Sequence, residues 1–263
     1  MNPTQPNPDH NKNTGTLYLV PAPLDFGCDE TMGLDASMPR ATTEIAAGIS
    51  QWICENAKST RAYLKRIGES TPLCLPIQAM QLQELPREVH KKGDHGGDFD
   101  ARYLLAPALA GQHMGLISEA GMPAVADPGS SVVRAAHDLG IPVVPLVGPV
   151  SLLLALAASG LNGQSFAFVG YVPAAPAERA QKIRELESLA LKTGQTQIFI
   201  ETPYRNTALL QTLLQSLQHN TRLATASGLT LSRAQCHSDV VKNWKHKPWA
   251  LDNSTPTVFS IGR

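Results

Sequence analysis

The chain is organised around one stretch, residues 115–129, which reads GLISEAGMPAVADPG. A short apolar run breaks into small residues, prolines and acidic side chains, and a helical pattern follows from Ser130. This pattern is typical of a buried strand that ends in a loop whose backbone approaches a ligand closely. Ligands of open α/β sheets bind outside the carboxyl ends of strands, so we expect a site in the loop after Ile117. A tight strand-to-helix turn without a ligand is the alternative interpretation.

Length, composition and charge limit the class of protein. The 263 residues suffice for two domains, and 43% hydrophobic with 17% charged residues is typical of a globular protein with a sizeable core. Lys and Arg together number 22, as do Asp and Glu, so the formal net charge is zero. Without an overall basic field, contact with RNA requires a local patch. The aromatic share of 5% also argues against a surface of stacked bases.

The cysteines, the first residues and the apolar runs indicate the compartment. The four cysteines are far apart and form no C-x-x-C pair, which favours a reducing environment. Residues 1–14 are rich in Asn and Pro and lack the apolar core of a signal peptide, so we expect a disordered tail. The apolar run at 152–158 is too short to span a bilayer. The prediction is a soluble cytoplasmic protein without a membrane partner.

Strands and helices alternate in the first half of the chain. Apolar runs at 17–20, 49–54 and 141–147 predict buried strands, with helices expected between them. The strand before Ser118, the helix from Ser130 and the next strand form a β-α-β unit of the kind that builds a parallel sheet. Further elements are expected as a helix at 41–47, a helix at 59–67, a short strand at 73–75 and a helix at 99–110.

The polar stretch 83–98 is predicted to be a flexible glycine-rich surface loop. Asp94, His95, Asp98 and Asp100 lie close enough in sequence for a metal loop, but this is the less favoured alternative and no metal site is predicted. Cys236 and His237 are adjacent without a partner pair, which indicates local structure rather than a zinc site.

The chain changes pattern after the break that begins at Gly148. We therefore predict an N-terminal α/β domain over residues 15–147 and a C-terminal α/β domain over residues 148–263. The second domain is expected to hold helices at 152–159, 176–191 and 206–217, and strands at 166–169, 197–200, 223–226 and 257–261. The predicted fold class is α/β with two domains.

Several common catalytic signatures are missing from the sequence. The glycine fingerprint of a dinucleotide site, the phosphate-binding loop, the His-Glu-x-x-His zinc motif and the serine nucleophile elbow do not occur. What remains is a set of loops that follow predicted strands, at 21–25, 55–58, 118–123, 148–151 and 201–205. Small residues, prolines and strand-end carboxylates suit a small zwitterionic ligand that is held largely by backbone groups.

Short segments along the chain are similar, in order, to the motifs of one enzyme family. They are GTLYLVPAP at 15–23, CENAK at 54–58, SEAGMP at 118–123, DPG at 127–129, VPLVGP at 144–149, FVGYVP at 168–173 and ETPYR at 201–205. The chain thereby resembles the ribosomal RNA small-subunit 2′-O-ribose methyltransferases of the tetrapyrrole-methylase superfamily, which use S-adenosylmethionine. The resemblance runs from Gly15 to the C-terminus without large gaps.

The resemblance implies two αβα domains of the tetrapyrrole-methylase type, with an S-adenosylmethionine cleft between them. It also implies a homodimer and an acceptor in ribosomal RNA or the small ribosomal subunit. By position it assigns cofactor contacts to residues that follow predicted strands or the domain break, namely Glu119, Ala120, Gly121, Met122, Val125, Val150, Ser151, Thr202 and Leu229.

The departures from the family motifs fall mainly on charged and polar groups. Asp25 and Phe26 replace Gly-Asn, Lys58 replaces the arginine of Ala-Glu-Asp-Thr-Arg, and residues 227–231 read SGLTL in place of Arg-Glu-Leu-Thr-Lys. Such groups hold a phosphate backbone or activate a ribose hydroxyl. The methyl donor is therefore better supported by the sequence than an RNA acceptor.

The leading hypothesis is an S-adenosylmethionine-dependent methyltransferase acting on ribose 2′-hydroxyls of ribosomal RNA. Glu55 is the candidate base or positioning group, and Lys58 and Arg205 are expected to hold phosphate. The alternatives are methyl transfer to a small tetrapyrrole-like molecule, or cofactor binding without turnover. Structural roles also remain open, since Glu55 can be a solvated carboxylate and Glu201 can form an ion pair with Arg205.

Overall fold

The computed structural model describes residues 14–92, 94, 96, 99–246 and 249–263, apart from the side chains of residues 90–92. These residues divide into two compact units. The first comprises residues 14–26 and 33–149, and the second comprises residues 27–32 and 150–263. The expected tail lies almost wholly outside the described residues.

The first unit contains a five-stranded sheet that is parallel throughout. Its strands are β1 (Leu17–Leu19), β2 (Gln51–Cys54), β3 (Gln81–Glu84), β4 (Met114–Ile117) and β5 (Val143–Pro145), in the order β3-β2-β4-β1-β5. Its helices are α1 (Arg40–Ala47), α2 (Ala57–Gly68), α3 (Arg87–Lys92), α4 (Ala106–Leu109) and α5 (Ser130–Asp138). Short 3₁₀ turns occupy Leu34–Ala36, Ile77–Ala79 and Arg102–Leu105.

Both faces of this sheet are buried. Trp52 and Cys54 pack into one apolar cluster, whereas Ile53, between them on β2, packs into another. This alternation is expected when helices cover both faces of a parallel sheet. The packing is tight at Gly115, where a Cβ atom would lie 2.5 Å from the ring of Trp52.

The second unit contains a mixed five-stranded sheet. Its strands are β6 (Phe166–Tyr171), β7 (Thr196–Ile200), β8 (Arg222–Ser227), β9 (Gln235–Val240) and β10 (Thr257–Gly262), in the order β6-β7-β10-β8-β9. The β6–β7 pair is parallel and the other pairs are antiparallel. Its helices are α6 (Ser151–Ser159), α7 (Pro176–Thr193), α8 (Asn206–Ser216) and α9 (Val241–His246). Ile198 and Phe199 again point into different clusters, so both faces are covered.

The α/β fold class and the two-domain organisation are confirmed. The expected strand at 73–75 is wrong, because those residues form a bend between prolines and the edge strand is the polar segment β3 instead. The polar stretch 83–98 is not only a loop, since it includes the end of β3 and helix α3. The helix expected at 99–110 is a 3₁₀ turn followed by the short α4. Strand β9 and helix α9 were not predicted from the sequence.

Candidate functional site

Parallel pairing places four strand-end loops at one edge of the first sheet. The loops after β1, β2, β4 and β5 all leave the carboxyl ends of strands that are paired in register, with β2 and β1 on either side of β4. Because parallel strands point the same way, the residues after each strand share that edge. This is the edge at which ligands bind in open α/β sheets.

Glu55 and Glu119 meet at this edge. The Glu55 backbone N–H donates to the carbonyl of Ile117 at 3.1 Å, which extends the pairing of β2 with β4 by one residue. The Oε2 atom of Glu55 accepts the backbone N–H of Glu119 at 3.0 Å. The Ser59 hydroxyl, in the first turn of α2, lies 3.4 Å from Oε1 of Glu119 and donates to it. Two predicted site residues are therefore joined directly.

Lys58 lies on the same helix but its side chain is exposed. Its backbone N–H, like that of Ser59, donates to the Oδ1 atom of Asn56, which caps the start of α2. Oε1 of Glu84, at the end of the edge strand β3, accepts the N–H of Ala57 at 2.6 Å. The start of α2 is thus fixed next to Glu55, and Lys58 projects from a rigid helical turn.

The loop after β4 is held in a tight backbone conformation. Gly121 exchanges two backbone hydrogen bonds of 2.9 Å with Ala22, in the loop after β1. Gly121 has φ +72°, and a Cβ atom there would lie 3.3 Å from Leu24. Ala124 and Ala126 also have positive φ, at 63° and 67°. Such residues cost about 1–3 kcal/mol each and persist where surrounding structure imposes them, often at functional sites.

Asp127 completes a group of carboxylates around this loop. Burial is the main cause that raises its pKa, and together with the negative charges of Glu55 and Glu119 it brings the pKa to about 7. The motif Asp-Pro-Gly was visible in the sequence, but Asp127 was not among the predicted site residues. Only its burial and its two acidic neighbours identify it as a group that titrates near neutral pH.

Ser118 is a second residue that the sequence did not assign. It follows β4 directly, is 4% exposed, and its hydroxyl has no hydrogen-bond partner within the described part of the chain. Ala120 and Met122 are half-buried in the same loop, whereas Val125 is more exposed, at 40%. The loop therefore offers backbone groups and apolar side chains beside carboxylates.

Asp94 has a structural role that the sequence did not indicate. Its carboxylate accepts the backbone N–H groups of Gly129 and Ser131, each at 2.9 Å, and the hydroxyls of Ser130 and Ser131. Burial raises its pKa, but these hydrogen bonds outweigh burial and bring the pKa below its usual value. Asp94 thus caps α5, whose own N-cap, Gly129, has no side chain.

The alternative of a metal loop stays untested by the structure. His95 and Asp98 lie outside the described residues. Elsewhere in the described ranges, no group of three or more His, Cys, Asp or Glu side chains is arranged to hold a metal ion.

In the second unit, the segment after β7 forms a compact polar cluster. The Glu201 side chain is fully buried, and its Oε1 atom accepts from the backbone N–H of Thr202 at 2.8 Å and from the Arg205 guanidinium at 2.8 Å. Arg205 Nε also donates to the Thr202 hydroxyl at 3.1 Å. Glu201 and Arg205 therefore form the ion pair that the sequence left open. Arg205 still has N–H donors beyond these contacts.

The remaining predicted residues of the second unit lie near one face of its sheet. Leu229 follows β8 and packs against an apolar cluster that includes Leu152 and Leu156 of α6. Val150 precedes α6 and Ser151 begins it, and both are half-buried. Strand β10 pairs Val258 with Ile200 and with Ala226, so the segments that carry Thr202 and Leu229 leave the same edge of the sheet.

The structure thus defines a class of protein. It is a two-domain α/β protein in which the loops that follow the strands carry the candidate ligand-binding residues. The comparisons with known proteins narrow the class. Residues 49–243 match the family described as Tetrapyrrole (Corrin/Porphyrin) Methylases, and the chain belongs to that family.

Individual relatives agree with this assignment. Over 244 residues, 93% of this chain and 76% of the relative, the chain is 32% identical to Ribosomal RNA small subunit methyltransferase I of Haemophilus influenzae. The protein of the same name from Vibrio cholerae is 29% identical over 81% of this chain and 65% of its own length. Matches to those of Mesorhizobium japonicum, Xylella fastidiosa and Pseudomonas aeruginosa cover 63%, 60% and 58% of their lengths. The chain thus spans less than two thirds of several curated relatives.

Solved structures share the fold. The methyltransferase CobJ superposes with a TM-score of 0.54 and 16% identity, covering 95% of both chains. Uroporphyrin-III-C-methyltransferase from Thermus thermophilus superposes with a TM-score of 0.51 and 18% identity, covering 94% of both. No helix among the described residues is both long enough and apolar enough to cross a membrane.

Proposed function

We propose that this protein is an S-adenosylmethionine-dependent methyltransferase whose acceptor is a ribose 2′-hydroxyl of small-subunit ribosomal RNA. The observation that carries the proposal is the direct contact of Glu55 with the backbone of Glu119 at the carboxyl edge of a parallel sheet. Family membership and the names of the relatives support the same activity. A cytoplasmic location and a homodimeric state are part of the proposal.

The chemistry of the first unit suits this cofactor. S-adenosylmethionine carries a sulfonium and an ammonium, and the loop after β4 has Glu55, Glu119 and Asp127 around it. Acidic groups near a cationic ligand favour its binding. The exposed and half-buried backbone of a strand-end loop suits the edges of an adenine. We assign the cofactor contacts to Glu119, Ala120, Gly121, Met122 and Val125 of the first unit, with Val150, Ser151, Thr202 and Leu229 of the second.

When bound, the cofactor supplies an activated methyl group, so the protein's tasks are alignment and control of one proton. The acceptor hydroxyl has to lose its proton, and a carboxylate is the appropriate base. Glu55 is the first candidate and Asp127, with its pKa of about 7, is the second. Lys58 and the remaining donors of Arg205 are assigned to the phosphates that flank the acceptor.

A small tetrapyrrole-like acceptor is the second candidate function. It is favoured by one observation, the loss of charge in residues 227–231, where Gly228 and Thr230 adopt positive φ and no basic side chain is present. A protein that binds the cofactor without turnover is the remaining alternative. It differs from the other two in that it would transfer no methyl group to any acceptor.

Calorimetry with S-adenosylmethionine tests the cofactor half of the proposal. We expect saturable binding, weakened at least about tenfold in Glu119→Gln because a carboxylate contact to a cationic ligand is lost. Glu44→Gln is the matched control, since Glu44 is an exposed carboxylate paired with Arg40 on α1 and should leave affinity unchanged. Absence of binding at millimolar cofactor would rule out both the methyltransferase and the cofactor-binding alternatives.

A further inference from the structure

Two tyrosines stand exposed where the second sheet ends. Tyr171 is the last residue of β6 and is 59% exposed, and Tyr204 follows β7 and is 68% exposed. Tyr171 pairs with Ile200, and Tyr204 lies four residues beyond Ile200, so both leave the carboxyl edge of the β6–β7 pair. Tyrosine is enriched at interfaces, since its ring offers a large apolar surface and its hydroxyl a polar group.

A backbone irregularity sets the direction of Tyr171. The register of β6 with β7 shifts between Phe168 and Tyr171, and Gly170 within this shift has φ +74°. One extra residue in a strand reverses the alternation of side chains beyond it. Bulges of this kind re-aim side chains next to functional sites. The exposure of Tyr171 therefore follows from the register shift at Gly170.

Tyr204 is held from one side by a fixed cation. The guanidinium carbon of Arg205 lies 5.2 Å from the centre of the Tyr204 ring. Arg205 is itself fixed by the buried Glu201 carboxylate at 2.8 Å and by the Thr202 hydroxyl at 3.1 Å. A cation over an aromatic ring is attracted by the ring's negative face. The ring is thus oriented before any ligand arrives, while most of its surface remains exposed.

We propose that Tyr204 and Tyr171 stack against an unpaired nucleobase of the RNA acceptor, and that Arg205 orients the Tyr204 ring for this contact. The inference rests on the proposed function and adds the residues that recognise the acceptor. Stacking of bases on aromatic side chains is the common mode of single-stranded RNA binding, and it acts together with local positive charge, which Arg205 supplies beside Tyr204. Two exposed rings at one edge of the sheet, one of them beside a fixed guanidinium, form the local patch that a protein with few aromatic residues and no net charge requires.

The test uses the full-length protein and a short single-stranded RNA oligonucleotide that contains 2-aminopurine, whose fluorescence is quenched by stacking. We expect saturable quenching with the wild-type protein. Tyr204→Leu and Tyr171→Leu should each weaken binding by about 5- to 150-fold, the loss that corresponds to one stacked base. Tyr204→Phe and Tyr171→Phe, which keep the ring, should bind within about twofold of the wild type.

Tyr103→Leu is the matched control. Tyr103 is 62% exposed and also contacts a ring, that of Phe99, but it lies in a 3₁₀ turn of the first unit rather than after a strand of the second sheet. Unchanged oligonucleotide affinity in both leucine variants at 171 and 204 would overturn the inference, as would absence of quenching by the wild type. Calorimetry with S-adenosylmethionine on the same variants separates this outcome from failure of the proposed function, because neither tyrosine is assigned to the cofactor.

Discussion

At the scale of single residues, Asp127 is the group whose chemistry depends most on its surroundings. Burial, with the charges of Glu55 and Glu119, raises its pKa from 3.8 to about 7. A carboxyl group with this pKa exchanges a proton near neutral pH, which is what a general base requires. The same shift has a consequence for stability, since an ionised Asp127 is less favourable in the folded protein than in the unfolded chain.

We expect stability to depend on pH through Asp127. Between about pH 4 and about pH 7 the folded protein binds more protons at this site than the unfolded chain, so the contribution of Asp127 to stability falls as the pH rises through that window. Asp127→Asn removes this term. Urea unfolding should therefore show the variant gaining stability relative to the wild type as the pH is raised from 4 to about 8.

Glu119→Gln supplies the control for this interpretation. Removal of one negative neighbour should lower the pKa of Asp127 in the folded protein, so the upper end of the pH window should move to lower pH while its lower end stays the same. A stability difference between Asp127→Asn and the wild type that stays constant across the whole pH range would contradict the account.

At the scale of elements, the start of α5 depends on a side chain from a distant loop. Asp94 supplies the cap that Gly129 lacks, through hydrogen bonds to Gly129, Ser130 and Ser131. The helix begins directly after the loop that carries Asp127. Capping by Asp94 therefore also fixes the end of the proposed cofactor loop.

We expect Asp94→Ala to destabilise the protein by about 1–3 kcal/mol, because buried donors lose a charged acceptor. Denaturant unfolding measures this loss. Asp100→Ala is the matched control, since Asp100 is exposed and pairs with the nearby Arg102, and its removal should change stability by under about 0.5 kcal/mol. Equal stability of the two variants would show that Asp94 does not cap α5 in solution.

The elements that the sequence predicted well are the buried ones. Apolar runs identified the inner strands β1, β2 and β4, since strands covered on both faces require them. The apolar run of β5 also identified that strand, although it lies at an edge and its residues are half-buried or exposed. The edge strands β3 and β9 were missed because exposed edge positions accept polar residues, as in Gln81–Glu84. The expected strand at 73–75 was wrong because the prolines at 72 and 76 restrict the backbone on either side, and the residues between them bend instead of pairing.

The site was predictable in outline but not in its contacts. The motifs indicated which loops follow strands, and parallel pairing brought Glu55 to Glu119 as a consequence. The raised pKa of Asp127, the capping role of Asp94 and the exposure of Tyr204 depend on burial and on residues far apart in sequence. Such properties follow from tertiary packing, which local patterns do not encode.

At the scale of the whole molecule, the chain combines a parallel sheet in the first unit with a mixed sheet in the second. In each unit, loops that follow the strands of the sheet carry predicted functional residues. The chain belongs to the tetrapyrrole methylases, and several of its relatives are named ribosomal RNA small subunit methyltransferase I. The charged groups lost from residues 227–231 make the acceptor the point at which the account is most open to test.

The most direct test is transfer of a labelled methyl group from S-adenosylmethionine to small ribosomal subunits from cells that lack this protein. We expect label in the RNA at a linkage that resists alkaline hydrolysis, since a 2′-O-methyl group removes the hydroxyl that alkaline cleavage requires. Glu55→Gln should reduce the rate about 100-fold or more while cofactor binding persists, because general-base catalysis contributes about that much. Absence of label in the RNA, from a wild-type protein that binds the cofactor, would contradict the account.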